Sequence, residues 1–299
     1  MLNLKNFVLT LLLLFILSGC SRVQLVYNQL DWLIPYYING YVELSENQDF
    51  YLNEQVSGLL KWHCSEHLTS YANLLRNANK KFQSGAMTSA QLEEYAAQFD
   101  SYWREIMHFS HPSLVDFFHT LSGEQVNALG ERFRVDNSDW YDEFKNTSAE
   151  TIQQTNLEFM QNELERWFGD LSEAQVQEVR MWSTEFRALG YKGQSAREVW
   201  QQRLLQTLAQ RENLTKLNAG VTLLFVEPNK LRSKDYIGLM EQNTKVTIKL
   251  ISTLSSSLTI QQRQHLDSTI TTISEDFDAL ACTPSKVTQS NQQLFVAHN

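Results

Sequence analysis

His63, Cys64, Glu66 and His67 form the most chemically loaded cluster in the 299-residue chain. His63 and His67 stand one helical turn apart, a spacing that can bring two imidazoles to one metal ion. His108, His111 and His119 follow, so five of the seven histidines fall between positions 63 and 119. Three points argue against a metal. The order is not the HExxH of zinc proteases, no third ligand is fixed by spacing, and His67 lies on an apolar stripe. Interior histidines are ordinarily satisfied by hydrogen bonds. We therefore expect no metal and no small-molecule cofactor, with His63 and His67 as the candidates should a metal bind.

The three cysteines are Cys20, Cys64 and Cys282. Cys20 closes the stretch Phe7 to Cys20, FVLTLLLLFILSGC, which follows a lone Lys5. Its apolar run is shorter than the ~20 residues a bilayer span needs, and it reads as a secretory signal over residues 1–19. The ending Leu17-Ser18-Gly19-Cys20 resembles a bacterial lipoprotein cleavage site. That resemblance implies that Cys20 becomes the first residue and carries thioether-linked diacylglycerol, usually with an N-acyl chain. At ~0.8 kcal/mol per buried methylene, several chains anchor a protein permanently. Ser21, in place of an Asp, resembles the sorting pattern of outer-membrane lipoproteins and implies a body facing the periplasm. Cys64 and Cys282 remain. An oxidising compartment permits a disulfide between them, worth up to ~4–5 kcal/mol in the chain-entropy model. Two separate buried thiols are the equal alternative.

Without residues 1–19 the chain has 24 basic and 34 acidic residues, a net charge of −10. That balance excludes neutralisation of nucleic-acid phosphates as a driving force and disfavours a body lying flat on an anionic bilayer. The 42% hydrophobic residues suffice for a sizeable core.

Whatever these residues do, helices must position them. The chain has four prolines, Pro35, Pro112, Pro228 and Pro284, and none between 113 and 227. Of the places where a Ser or Thr is followed three residues later by Gln or Glu, six are read as capping boxes: Ser45/Gln48, Thr88/Gln91, Ser122/Gln125, Ser172/Gln175, Ser195/Glu198 and Thr259/Gln262. Hydrophobic staples accompany three, pairing Met87 with Leu92, Leu121 with Val126 and Leu171 with Val176. Apolar residues recur every three to four positions along Leu92, Tyr95, Phe99, Tyr102 or Trp103, Ile106 and Phe109. Segment 148–169, with Ile152, Phe159, Leu164 and Trp167, and segment 195–216, with Val199, Leu204 and Leu208, are read as apolar helical faces as well. The longest helix is expected over about 46–83, with Leu52, Val56, Leu60, His67, Tyr71, Leu74, Ala78 and Phe82 on one stripe. Trp62 falls ~140° from His67 on such a helix, so both of its faces should be covered. Residues 22–38 begin as an amphipathic helix that Pro35 should kink or end. GVTLLFVEP (220–228) reads as a loop or short apolar segment, and KVTIKLI (245–251) as helix. The steps between caps are too irregular for a solenoid. The reading is all-α: an irregular multi-helix bundle of helical hairpins with one long central helix, over residues 20–282, then a polar C-terminal tail, 283–299.

With the segments placed, the chain resembles an uncharacterised family of Gram-negative helical lipoproteins. The matching pieces are Tyr27-Asn28 with Leu30-Asp31-Trp32, and Trp62-His63 followed by Tyr71 and Leu74-Leu75-Arg76. Further on come Glu131-Arg132-Phe133 with Asn137, and Glu165-Arg166-Trp167-Phe168-Gly169 ahead of Leu171. Thr69 stands where the family pattern has proline, which implies an unbroken long helix here; Pro35 also departs from the pattern. The resemblance implies a helical lipoprotein and brings no activity with it.

Leu121 to Gln125, Leu171 to Gln175 and Leu258 to Gln262 share a Leu-Ser/Thr-x-x-Gln pattern. It is similar to the repeated motif of small periplasmic stress chaperones, although capping boxes alone account for it. No GxSxG elbow, P-loop, dinucleotide fingerprint or CxxC occurs. The expectation is a non-enzymatic protein anchored through lipid on Cys20 to the outer membrane, binding or scaffolding an envelope protein. The alternative is a periplasmic chaperone-like or hydrolytic factor.

Overall fold

The computed structural model describes residues 22–282; the signal segment, Cys20 and the tail from Thr283 lie outside the described residues. Within them the chain is all-α, with twelve α-helices and no strand. We number them α1 Arg22–Tyr27, α2 Leu30–Asn39, α3 Glu46–Glu66, α4 Leu68–Ser84, α5 Ser89–His119, α6 Gly123–Phe144, α7 Ala149–Phe168, α8 Glu173–Glu185, α9 Gly190–Ala209, α10 Leu214–Val221, α11 Lys234–Ser256 and α12 Ile260–Leu280. A π-helical turn, Thr222–Val226, and a 3-10 turn, Pro228–Leu231, join α10 to α11.

Five of the six expected capping boxes start helices: α3, α5, α6, α8 and α12. Four of those glutamines also pair across the molecule. Gln48 and Gln125 exchange amide hydrogen bonds (3.1 and 2.7 Å). Gln48 also donates to the Thr120 carbonyl (2.9 Å) and Gln125 to that of Glu43 (2.6 Å). Gln175 and Gln262 repeat the arrangement (3.0 and 2.8 Å), reaching the carbonyls of Ser257 and Asp170. Each acceptor lies two residues before the partner's cap, so each clasp fastens two helix starts face to face. Leu44-Ser45-x-x-Gln48 supplies a fourth copy of the Leu-Ser/Thr-x-x-Gln pattern.

Each clasp closes one hydrophobic core. The first core holds Leu52, Val56, Phe117, Leu121, Leu129, Phe133, Leu204, Leu208 and Leu224, from α3, α5, α6, α9 and the π turn. The second holds Phe82, Met87, Leu164, Phe168, Val179, Trp182, Leu254, Leu266 and Ile270, from α4, α7, α8, α11 and α12. We call them the first and second lobes. Helix α5 serves both, packing Leu92 and Tyr95 on the second core and Phe117 in the first. Pro112 sits inside it, where one backbone hydrogen bond is lost.

Five expectations change in detail. The 46–83 stretch runs as α3 and α4, which meet at His67 (φ −109°, ψ −39°) with no proline involved. The Cys64 carbonyl there accepts the Cys282 backbone N–H (3.1 Å), so the interruption coincides with an outside donor. Because of this break Trp62 and His67 do not face apart: their ring centroids lie 4.6 Å from one another. Pro35 is buried inside α2, and the chain breaks earlier, at Asn28–Gln29. Ser195 lies within α9 rather than at its start, and Phe159 and Val199 point outward, at 63% and 40% exposure.

Helix α12 runs antiparallel along α4. Ser274 Oγ donates to the Ala72 carbonyl (3.5 Å), Asn79 Nδ2 to Asp267 Oδ1 (2.6 Å), and Gln83 to the Arg263 carbonyl (2.9 Å). Ala72 and Ser274 are fully buried, and their small side chains let the two backbones approach. Arg76 pairs with Asp278 near the end of the contact. Beyond it the Cys64 and Cys282 sulfurs are bonded, with Cα atoms 5.1 Å apart.

Candidate functional site

An apolar cleft of about 550 Å³ opens in the first lobe, within the size range of ligand sites. Its walls come from five helices and the π turn: Ile34 and Ile38 of α2, Val56 and Leu59 of α3, Leu114 and Phe118 of α5, Phe133 of α6, Trp200 of α9, and Phe225. The π turn explains the last of these. Its extra residue per turn displaces the backbone, and the freed Leu224 carbonyl accepts the Trp200 indole N–H (3.1 Å). Phe225 is thereby held between Phe118 and Trp200, with ring centroids 5.9 and 5.7 Å away. His111 braces the same turn through Thr222 Oγ1 (2.9 Å).

Polar groups on the wall are few. Ser113 Oγ donates to Gln55 Oε1 (2.6 Å), and the Ser110 hydroxyl has no protein partner. Tyr51 contacts Asp116 (3.5 Å), and burial first, then that carboxylate, raises its hydroxyl pKa. At the edge, Asn137 joins Gln201 (2.7 Å) and Gln194 (2.9 Å) in a buried amide network. Asp136 there holds Arg132 (3.0 Å), with Arg197 at 3.9 Å. Ser113 also meets the Tyr51 hydroxyl, and among the described residues no histidine or carboxylate hydrogen-bonds either serine. The cleft therefore offers apolar surface, aromatic edges and a few hydrogen-bond positions.

The histidine cluster lies where the lobes meet. His63 Nδ1 contacts the Tyr27 hydroxyl (3.0 Å) and Nε2 that of Tyr71 (3.1 Å). Both ring nitrogens are thus occupied by hydroxyls. Burial, then the neighbouring His67, pushes His63 down to about 4. Burial raises Tyr27 and Tyr71 to about 12, with Tyr102 and Glu105 adding to the effect on Tyr71. His67 is 2% exposed and stacks near His63 and Tyr71. Its Nε2 has no hydrogen-bond partner and lies 3.9 Å from Glu105 Oε2. Burial lowers its pKa against the upward pull of Glu105 and Glu66. Among the described residues no three His, Cys, Asp or Glu side chains converge as a ligand set. His119 goes elsewhere, to the Arg211 carbonyl (2.9 Å), and His108 is exposed.

No motif in the sequence announces the cleft. Its lining is dispersed over residues 34–225 and each member looks like core. The one local signal is GVTLLFVEP, whose poor fit to either period marks the π turn.

Fold and cleft together define an all-helical protein with two hydrophobic cores and an apolar cleft in the first lobe. The chain belongs to a family of unknown function, DUF6279, which matches residues 40–237. No curated protein and no solved structure matches the chain. Of the residues that carry the sequence resemblance, Trp62, His63 and Tyr71 meet at the lobe junction. Phe133 and Asn137 form the cleft wall and its amide edge, and Trp167 and Phe168 line a second apolar cleft of about 380 Å³ in the other lobe.

Proposed function

We propose that this is an exported, non-enzymatic helical lipoprotein that holds an apolar segment of an envelope protein in its first-lobe cleft. In this reading the chain is cleaved before Cys20, acylated there, and retained at the outer membrane facing the periplasm. The observation that carries it is the cleft itself, with apolar walls from α2, α3, α5, α6 and α9 and hydroxyl or amide groups without an activating base. Support for the anchor comes from the sequence: the signal ends at Cys20, and only Ser21 separates it from α1. No described helix is long and apolar enough to cross a membrane, so the attachment would lie in the segment before α1.

A chaperone-like role is the second reading. The four clasping glutamines share the Leu-Ser/Thr-x-x-Gln pattern, and scattered exposed apolar side chains such as Phe50 (70%) and Phe159 (63%) suit varied, weak clients.

The test uses the Cys20→Ser chain titrated with an apolar naphthylamine probe. Saturable binding near one equivalent is expected, with loss in Leu59→Asp and none in Phe159→Asp. Leu59 is only partly covered, so the folded body should survive the change. Absence of saturable binding overturns the cleft. Suppression of client aggregation by both variants alike would favour the chaperone. The same Cys20→Ser chain should move from the membrane to the soluble fraction.

A further inference from the structure

Helices α1 and α2 are fastened on one side and bare on the other. Gln24 Nε2 donates to Asp276 Oδ1 (2.7 Å), and Tyr27 reaches His63, tying α1 to α12 and α3. Pro35 lies on the buried side of α2. The outer side carries Trp32, Tyr36 and Tyr37, at 52, 67 and 63% exposure. Their rings touch edge to face at 6.0 Å, Trp32 on Tyr36 and Tyr36 on Tyr37, so they form one aromatic patch. Leu25 and Val26 of α1 are each 54% exposed beside it in sequence.

We infer that this α1–α2 face is a lipid-docking surface that seats the body in the headgroup region of the bilayer. The occupant follows from the preceding chain. Four residues separate the apolar run ending at Leu17 from Arg22, a reach of at most ~18 Å over the five steps. Whether that run stays in the membrane or Cys20 is acylated in its place, α1 starts within that distance of the hydrocarbon. Trp and Tyr are the side chains that favour the water–hydrocarbon boundary, with apolar rings on one side and a polar N–H or O–H on the other. Charge excludes the other mode of membrane contact. Asp31 lies among the aromatics and no Lys or Arg occurs from Val23 to Leu60, so attraction to anionic lipid does not drive contact through the aromatic patch. Seated this way, α2 has lipid on one side and the cleft wall on the other, with Tyr37 at the cleft mouth.

The inference rests on membrane attachment as proposed above, and one experiment separates the two. The full chain is reconstituted into phosphatidylcholine vesicles and into phosphatidylethanolamine/phosphatidylglycerol vesicles, each with and without chain-brominated lipid. Tryptophan quenching by the brominated lipid is expected in both, unchanged between ~0.1 and ~1 M salt, and lost in Trp32→Phe. Exposed Trp32 can change to Phe without cost to either core. Protein that floats with the vesicles but shows no Trp32-dependent quenching leaves the anchor standing and overturns this surface, as would Trp32 reached only by an aqueous quencher, the outcome for a protein-docking face. Protein that does not float defeats both readings.

Discussion

Gln175 and Gln262 show how much a single amide can carry. Each satisfies the backbone N–H at its own cap, each donates to its partner, and each reaches a turn carbonyl across the contact. Gln175→Ala should cost about 2–3 kcal/mol in urea unfolding, since a buried partner loses its hydrogen bonds as well as the helix its cap. Gln91→Ala, which removes a solvent-exposed capping box without a cross-molecular partner, should cost about 1 kcal/mol or less. Equal effects would mean that the clasps contribute nothing beyond capping. His63 gives a pH test. It stays neutral in the folded protein down to about 4, against an ordinary value of 6.5. As the pH falls the unfolded chain takes up the proton first, so stability is lost between about 6.5 and about 4 and is flat above that window on this account. Buried His67 acts in the same direction. The urea midpoint should fall from pH 7.5 to 5, and His63→Phe should flatten the slope. The sequence reveals the cap of each glutamine but not its partner, because pairing depends on which helix starts the fold brings together.

Among the helices, legibility follows how local the cause is. Capping boxes are local, and five of six sit where the pattern places them. Ser195 fails because α9 starts earlier, at Gly190, a left-handed position (φ +44°) where a Cβ would stand 3.0 Å from the Phe144 ring. The interruption at His67 has no local signal; it coincides with the Cys282 N–H on the Cys64 carbonyl, contributed from 218 positions away. Closing so long a loop makes the Cys64–Cys282 bond worth up to about 5 kcal/mol. Reduction should lower the unfolding midpoint accordingly, and non-reducing peptide mass spectrometry should find the linked pair; two free thiols would contradict it. The α9–α10 crossing depends on Gly220, where a Cβ would stand 2.3 Å from Thr207 Cγ2. Thr207 is buried and cannot swing aside, so Gly220→Ala should cost about 1–3 kcal/mol or more, measured by thermal unfolding beside Gly238→Ala, which meets open space.

At the scale of the whole molecule, two clasped lobes share α5 and meet at a ring of histidines and tyrosines. Helical class and the number of caps are visible in the sequence because periodicity and capping repeat within single segments. The division into lobes and the cleft are not, because their walls join residues as far apart as Ile34 and Phe225. Only the three-dimensional arrangement separates Leu59, which lines the cleft, from Phe159, which faces solvent, although both occupy apolar helical positions. We propose the cleft as the place where this protein meets its partner. The most direct measurement places a photo-crosslinking amino acid at Leu59, and separately at Phe159, in the full chain in living cells. A discrete adduct with one envelope protein at Leu59, absent at Phe159, is the expected result. No adduct at Leu59, or the same adducts at both positions, would contradict it.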